Sequence, residues 1–169
     1  MVRTIDNADR KLKDAALYIM QNVEEIESLG MKKLSKLLYF ADFKHYKKNI
    51  EPLTHQKYVR MEHGPVPIAI YDAVEELEAE GKISTDNKDI ESGIKQKRFF
   101  IQEDDLDLNL DEEERETLEG IVSNLGSYSG GTLERFSHQD TPWQVTDSDD
   151  EISYKLVFYR DEELEQKVE

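Results

Sequence analysis

The chain has no cysteine. That excludes disulfide frameworks, thiolate metal sites and cysteine nucleophiles, and it fits a reducing cytoplasm, where the protein is expected to reside. No apolar run approaches the ~20 residues of a membrane span, and the polar start MVRTID does not read as a signal peptide. The Gly-rich phosphate loop, the GxSxG elbow and the HExxH zinc pattern are all missing. Four histidines are present, His45, His55, His63 and His138, without local metal-ligand spacing, so neither a metal nor another cofactor is expected. Basic residues are also scarce: 22 Lys and Arg stand against 38 Asp and Glu, a net charge of −16. Such a surface repels a nucleic-acid backbone at long range and attracts a basic protein.

What is present describes one globular domain over residues 1–169, with 161–169 as a fraying tail. The hydrophobic share of 37 % and the charged share of 36 % suit a core with a solvated exterior. The charge is uneven. Residues 103–119 hold ten acids and one base, whereas residues 31–60 hold eight bases and two acids, Asp42 and Glu51. Most charge runs are solvated faces; the other reading is an acidic surface that recruits a basic partner.

Periodicity predicts a mainly α, α+β fold of five to six helices with a small antiparallel β-hairpin. Leu12, Ala15, Ala16, Ile19, Val23 and Ile26 give a first helix over 9–27, capped by Asn7 or Asp9 and stopped at Gly30. A second helix over 32–48 is unusually apolar and aromatic, with Lys32, Lys33, Lys36, Lys44, Lys47 and Lys48 on its water side. Pro52 and Thr54 break it, a strand follows over 57–62, and Gly64, Pro65 and Pro67 form a corner into a third helix over 68–80. That helix should bury Ile70, Tyr71, Val74 and Leu77. A hairpin spans 82–101. Leu110, Asp111 and Glu114 form the staple and capping box of a helix ending at Gly126. SYSGG (127–131) reads as a flexible link before a short helix over 132–137, and 152–159 suits either a short helix or a strand.

Two stretches concentrate demanding residues: 33–66, KLSKLLYFADFKHYKKNIEPLTHQKYVRMEHGPV, and 138–143, HQDTPW. Asp42 and His45 are spaced to meet on adjacent helical turns. Either they brace a buried imidazole, or with His63 and His138 they form the centre of a hydrolase. The two X-Pro loops are rigid turns satisfying local amides, or they face each other across a groove lined by Tyr39, Tyr46 and Trp143 that holds a partner.

KLLYFAD…HY (36–46), the Pro52-Leu53-Thr54 turn, the strand into HGPV, Tyr71-Asp72, HQDTPW and the later ISYKLVFYRDEE together resemble the Panacea domain, the SocA-like antitoxin family once grouped as phage-associated proteins. The resemblance runs from the first helix to about Asp161. It implies a compact, largely helical antitoxin-type protein without enzymatic activity, encoded beside a toxin that it neutralises by direct binding. In one branch the family member is an adaptor that delivers the toxin to a AAA+ protease. The positions matching the signature are Tyr39, Asp42, His45, His63, Gly64, Pro65, His138, Thr141, Pro142 and Trp143, and Tyr46 joins them as a candidate partner contact. None is implied to be catalytic. The acidic segment 103–119 departs from the family pattern.

A helix–helix–helix–hairpin order is also the outline of a winged-helix DNA binder that would regulate its own operon. Its recognition helix would be 68–80, which carries Asp72, Glu75, Glu76, Glu78 and Glu80 and no base. Phosphate repulsion disfavours that reading.

Overall fold

A computed structural model describes residues 2–91, 93–103 and 106–169, with side chains at positions 9–26, 28–89, 93–103 and 106–169. Helix α2, Gly30–Asn49, is its axis. Leu34, Leu37, Leu38, Tyr39, Phe40 and Phe43 are fully buried on it. It touches α1 (Val2–Asn22), α4 (Glu112–Leu125), α5 (Gly130–His138), strands β2 (Gly64–Pro67) and β4 (Ile94–Ile101), and the 3-10 turn Tyr154–Tyr159. A helix contacted on all these sides cannot keep a polar stripe. Lys33 and Lys36, expected on its water side, are accordingly buried at 5 % and 1 % exposure. The helix ends where Ile50 turns left-handed (φ 57°) and returns its N–H to Tyr46 O at 2.7 Å.

Helix α1 begins before the predicted start and ends before the predicted end, because a 3-10 turn at Ile26–Ser28 takes over its last residues. Asp9 therefore lies inside the helix, and the side chain of Asn7 is outside the described residues. The predicted stripe is buried from Leu12 to Val23. Gly30 opens α2 instead of stopping α1; its positive φ of 61° has a steric reason, since a Cβ there would stand 2.8 Å from the Gln96 amide of β4.

Residues 58–67 form a hairpin where a single strand and a corner were predicted. β1 (Tyr58–Met61) pairs antiparallel with β2, in the register Tyr58 to Pro67 and Met61 to Gly64. Pro65 and Pro67 are tolerated because β2 is an edge strand that needs no further donors. The other edge of β1 takes residues 149–152: Asp149 N donates to Arg60 O (2.9 Å), Arg60 N to Asp150 O (3.0 Å) and Ile152 N to Tyr58 O (2.8 Å). Helix α3, Ile70–Ala79, buries Ile70, Ala73, Val74 and Leu77. Tyr71, expected with them, is 60 % exposed, since it lies about 100° round the helix from Ile70. β3 (Ile83–Glu91) and β4 form the predicted hairpin, with strands running further toward the turn than expected.

The capping box of α4 is present in both directions, Asp111 with Glu114 N and Glu114 with Asp111 N, each at 2.8 Å. The glycines of the predicted link belong to α5, capped by Ser129 Oγ on Thr132 N (3.1 Å). α6 (Thr141–Val145) follows, with Pro142 in its first turn, where a missing N–H costs nothing. The protein is thus mainly helical α+β, with seven α-helices among the described residues instead of five to six, and two small antiparallel hairpins instead of one.

The expected fraying tail forms α7, Glu162–Val168, which packs on α4 and buries Leu164 (4 % exposed) and Val168 (0 %). Ending the chain after Asp161 should therefore lower unfolding stability by about 3 kcal/mol, a fall in Tm of about 6–12 °C for a domain of this size. An unchanged Tm would show that α7 contributes nothing to the core.

Candidate functional site

The signature residues converge on one corner of α2, but mostly from the inside. Tyr39 is fully buried and donates to Asp140 Oδ2 at 2.6 Å. Asp140 also receives Arg160 in a bidentate pair, Nε to Oδ1 at 2.9 Å and an Nη to Oδ2 at 2.8 Å, with both side chains at 0 % exposure. The Arg160 guanidinium stands 5.6 Å from the Phe40 ring centre. Burial works against its charge, but the Asp140 carboxylate outweighs burial and raises its pKa. Burial and the same carboxylate hold the Tyr39 phenol well above its usual range. A pair of this kind adds little net stability over an apolar core, yet losing one partner strands a charge.

Asp42, also fully buried, accepts three donors: Thr54 N at 2.6 Å, and the Thr54 and Tyr58 hydroxyls at 2.5 Å. Burial raises its pKa, opposed by those bonds. They fasten the Pro52-Leu53-Thr54 turn and the start of β1 onto α2. The predicted Asp42–His45 contact is not made. His45 Nδ1 instead lies 2.8 Å from Thr117 Oγ1 on α4, and Asn49 approaches the imidazole from 3.3 Å. Burial lowers the His45 pKa, which favours the neutral ring at pH 7.

One turn before these two anchors on α2 is Lys36, whose amine donates to Pro65 O at 3.0 Å. Gly64 makes this approach possible. Its φ is 107°, and a Cβ would come within 2.5 Å of Lys36 Cε and 2.7 Å of Ser137 Oγ. Desolvation lowers the Lys36 pKa to about 8, partly opposed by the Glu134 carboxylate. Glu134 reaches outward to Lys32 at 2.9 Å and to His63 at 3.5 Å, and the His63 side chain is 67 % exposed. Burial alone would raise the Glu134 pKa, but Lys32 and His63 bring it below its usual value.

The strand leading into HGPV and the HQDTPW segment, 72 or more residues apart in sequence by their numbering, are joined directly. Trp143 Nε1 donates to Met61 O (3.2 Å), and the Arg60 guanidinium stacks 3.9 Å from the Trp143 ring centre. The same guanidinium donates to the carbonyls of Trp143 (3.2 Å), Gln144 (3.2 Å) and Thr146 (2.6 Å), which caps the end of α6. His138 stacks on Trp143 with ring centres 4.2 Å apart. Thr141 donates to Tyr159 O at 2.8 Å, and Pro142 is buried. Trp143 is half-buried.

The predicted groove lined by Tyr39, Tyr46 and Trp143 does not form. Tyr39 is sealed in the core, and Tyr46 stacks on Tyr154 (5.5 Å) in an aromatic series that continues to Phe158. Among the described residues no group of three or more His, Asp or Glu side chains is placed to hold a metal ion. Sequence reading missed Arg160, Lys36, Ser137 and Arg60. Arg160 and Arg60 carried a signal, since a lone arginine in an otherwise aromatic or alternating stretch must find a partner when it is buried.

Asp140→Ala should destabilise the protein by about 3–5 kcal/mol, because it leaves Arg160 buried and unpaired. Urea unfolding of the Asp140→Ala, Arg160→Met double variant should recover part of that loss, and no recovery would deny the stranded-charge account. Lys36 predicts a pH dependence. Its folded pKa of about 8 lies below the ordinary 10.5, so between those values the unfolded chain binds more protons and stability rises with pH. Relative to Lys36→Met, the unmodified protein should gain up to about 3 kcal/mol from pH 8 to 10.5. Parallel pH profiles for the two proteins would rule out a depressed lysine.

Among known proteins, neither a curated protein nor a solved structure matches the chain. The family described as antitoxin SocA-like, Panacea domain, matches residues 34–144. That interval starts in α2, includes the hairpin with Gly64 and Pro65, and ends one residue past Trp143. It contains every signature position located above, and Arg160, which completes the Asp140 anchor, lies beyond it. The match covers more than half of the chain, which therefore belongs to the antitoxin SocA-like, Panacea domain family.

Proposed function

We propose that this protein is a cytoplasmic, non-catalytic antitoxin, acting as a single domain, that neutralises a cognate basic toxin by direct binding. The observation that carries the reading is the direction in which the corner faces. Its acidic and phenolic groups are turned inward and saturated by neighbours, as with Asp42, Asp140 and Tyr39. A hydrolytic centre needs a base or nucleophile within reach of substrate, so this arrangement favours binding over the Asp42, His45, His63 and His138 hydrolase. Large apolar side chains are meanwhile left outside on the elements around α6. Met61 is 44 % exposed, Val145 59 %, Phe158 48 % and Tyr159 72 %. Apolar side chains exposed beside a rigid, buried polar frame suit a protein interface.

Charge supplies the second support. Of the eight bases in residues 31–60, Lys36 is buried, while Lys32 and Lys47 pair with Glu134 and Glu165 at 2.9 Å each. The exterior is left more uniformly acidic than two oppositely charged faces would be, which favours encounter with a basic partner and disfavours DNA. In α3, the recognition helix of the winged-helix alternative, Asp72, Glu75, Glu76 and Glu78 are exposed. No helix among the described residues is long and apolar enough to cross a membrane.

Expression of the neighbouring reading frame alone should arrest growth, and co-expression of this protein should restore it. A harmless neighbour would end the antitoxin reading. The exposed-site variants Val145→Asp and Tyr159→Asp should shift stability by no more than ~0.5 kcal/mol, yet weaken capture of the purified toxin at least about tenfold. Full binding by both variants would remove the α6 region as the interface. Association should slow as salt rises, since steering is screened. The half-life of the toxin in cells separates sequestration, which leaves it unchanged, from delivery to a AAA+ protease, which shortens it.

A further inference from the structure

A groove of about 950 Å³ lies outside the corner, where the starts of α2 and α5 meet β4. The two helix starts lie in contact: a Cβ at Gly130 would stand at ordinary packing distance, 3.5 Å from Lys32 Cδ and 3.6 Å from Lys33 N. α2 starts with no side-chain cap. At α5 the Ser129 hydroxyl satisfies Thr132 N and leaves Gly130 and Gly131 beside the groove. Two first turns with free amides, converging on one cavity, direct two positive dipole ends at the same space.

Lys33 is an independent sign of an anion there. It is 5 % exposed, it lines the groove, and its amine has no hydrogen bond or ion pair among the described residues. Burial lowers its pKa, and Glu25 is the one charge that acts to restore it. A nearly buried ammonium without a partner is costly unless something supplies one. Around the groove four lysines, Lys32, Lys33, Lys95 and Lys97, stand against two glutamates, Glu24 and Glu25. With Lys32 paired to Glu134, the remaining local excess is one positive charge (3 − 2) on a chain of net −16. Tyr128 and Ile94, 37 % and 52 % exposed, add an apolar wall.

We propose that this groove binds a phosphate-bearing small molecule of nucleotide size, with its phosphates on the first turns of α2 and α5 and the Lys33 amine, and its ring against Tyr128 and Ile94. The volume lies in the ~300–1,000 Å³ range of small-molecule sites, larger than a lone anion requires. The inference is independent of toxin binding and goes beyond it.

NMR titration of the full chain with pyrophosphate, and separately with ATP, tests it. Both probes should shift the amides of Gly30, Met31, Lys32, Gly130 and Gly131, and ATP alone should also move Tyr128 and Ile94. Lys33→Met should weaken both affinities at least about tenfold, the scale of losing a charge-assisted contact, while Lys48→Met, at an exposed position outside the groove, should leave them unchanged. If Lys33→Met does not fold, the Lys95→Ala, Lys97→Ala pair on the rim should weaken both probes at least about threefold. Absence of groove shifts at about 10 mM of either probe, weaker than ~10⁻² M, overturns the proposal. So does unchanged affinity in the folded lysine variant tested. Pyrophosphate binding without added ATP shifts at Tyr128 and Ile94 overturns the nucleotide assignment.

Discussion

The structure depends on the need to satisfy polar side chains on a helix that is buried almost all round. Lys36, Tyr39, Asp42 and His45 recur every third residue along α2. At 100° per residue each step of three turns the direction by −60°, so the four side chains sweep through half a circle. They therefore meet four different parts of the chain: Lys36 reaches Pro65 in β2, Tyr39 the Asp140 turn, Asp42 the Thr54 turn and Tyr58, and His45 Thr117 in α4. Each contact is obligatory, because a buried polar group without a partner costs about 1–3 kcal/mol. The fold around α2 is thereby specified one segment at a time.

This explains why α2 carries polar residues inside the core. Leucines and aromatics on α2 provide most of the burial, but apolar contacts alone allow several packings of similar free energy. The polar series selects one of them. Gly64 shows the tightness of the result, since the hairpin turn passes so close to Lys36 and Ser137 that no side chain fits. Asp140 shows its reach: it gathers Tyr39 from α2 and Arg160 from near the C-terminus, tying the α5–α6 turn and the last helical segments to the axis.

The parts legible in the sequence were those governed by local physics. The α4 capping box needs only Asp111 and Glu114 three residues apart, and the apolar stripes of α1, α2 and α4 follow from helical period alone. The tertiary pairings were not legible. Asp42 and His45 are three residues apart and looked like partners, yet each has a better donor or hydroxyl elsewhere, and the spacing holds no trace of Thr54, Tyr58 or Thr117. The prolines of β2 concealed a strand because proline ordinarily argues against one, and only the pairing of β1 with residues 149–152 shows that β2 is an edge. The serine and glycines at 127–131 read as a link because their composition is that of a flexible loop, although Ser129 caps α5 locally through Thr132 N. Lys33 and Lys36 depart from the expected water side because a basic run is a solvated face only where no other segment covers it, whereas Lys32, Lys44, Lys47 and Lys48 stay partly or fully exposed.

Covering those lysines has a consequence for how charge is distributed. Lys36 is buried and Lys32 and Lys47 are ion-paired, so these three offset less of the exposed acidity of α3 and α4. The groove at the starts of α2 and α5 gathers bases, and its backbone adds to them, because two adjacent helix starts place their positive ends side by side. Glu134 links the two regions: it is held by Lys32 from the groove and by His63 from the HGPV turn. An anion that competes for Lys32 would weaken one of the two contacts that hold Glu134 beside the exposed tip of the corner. The corner is thus fixed on its inner side by paired polar groups, and on its outer side Glu134 is shared between Lys32 and His63.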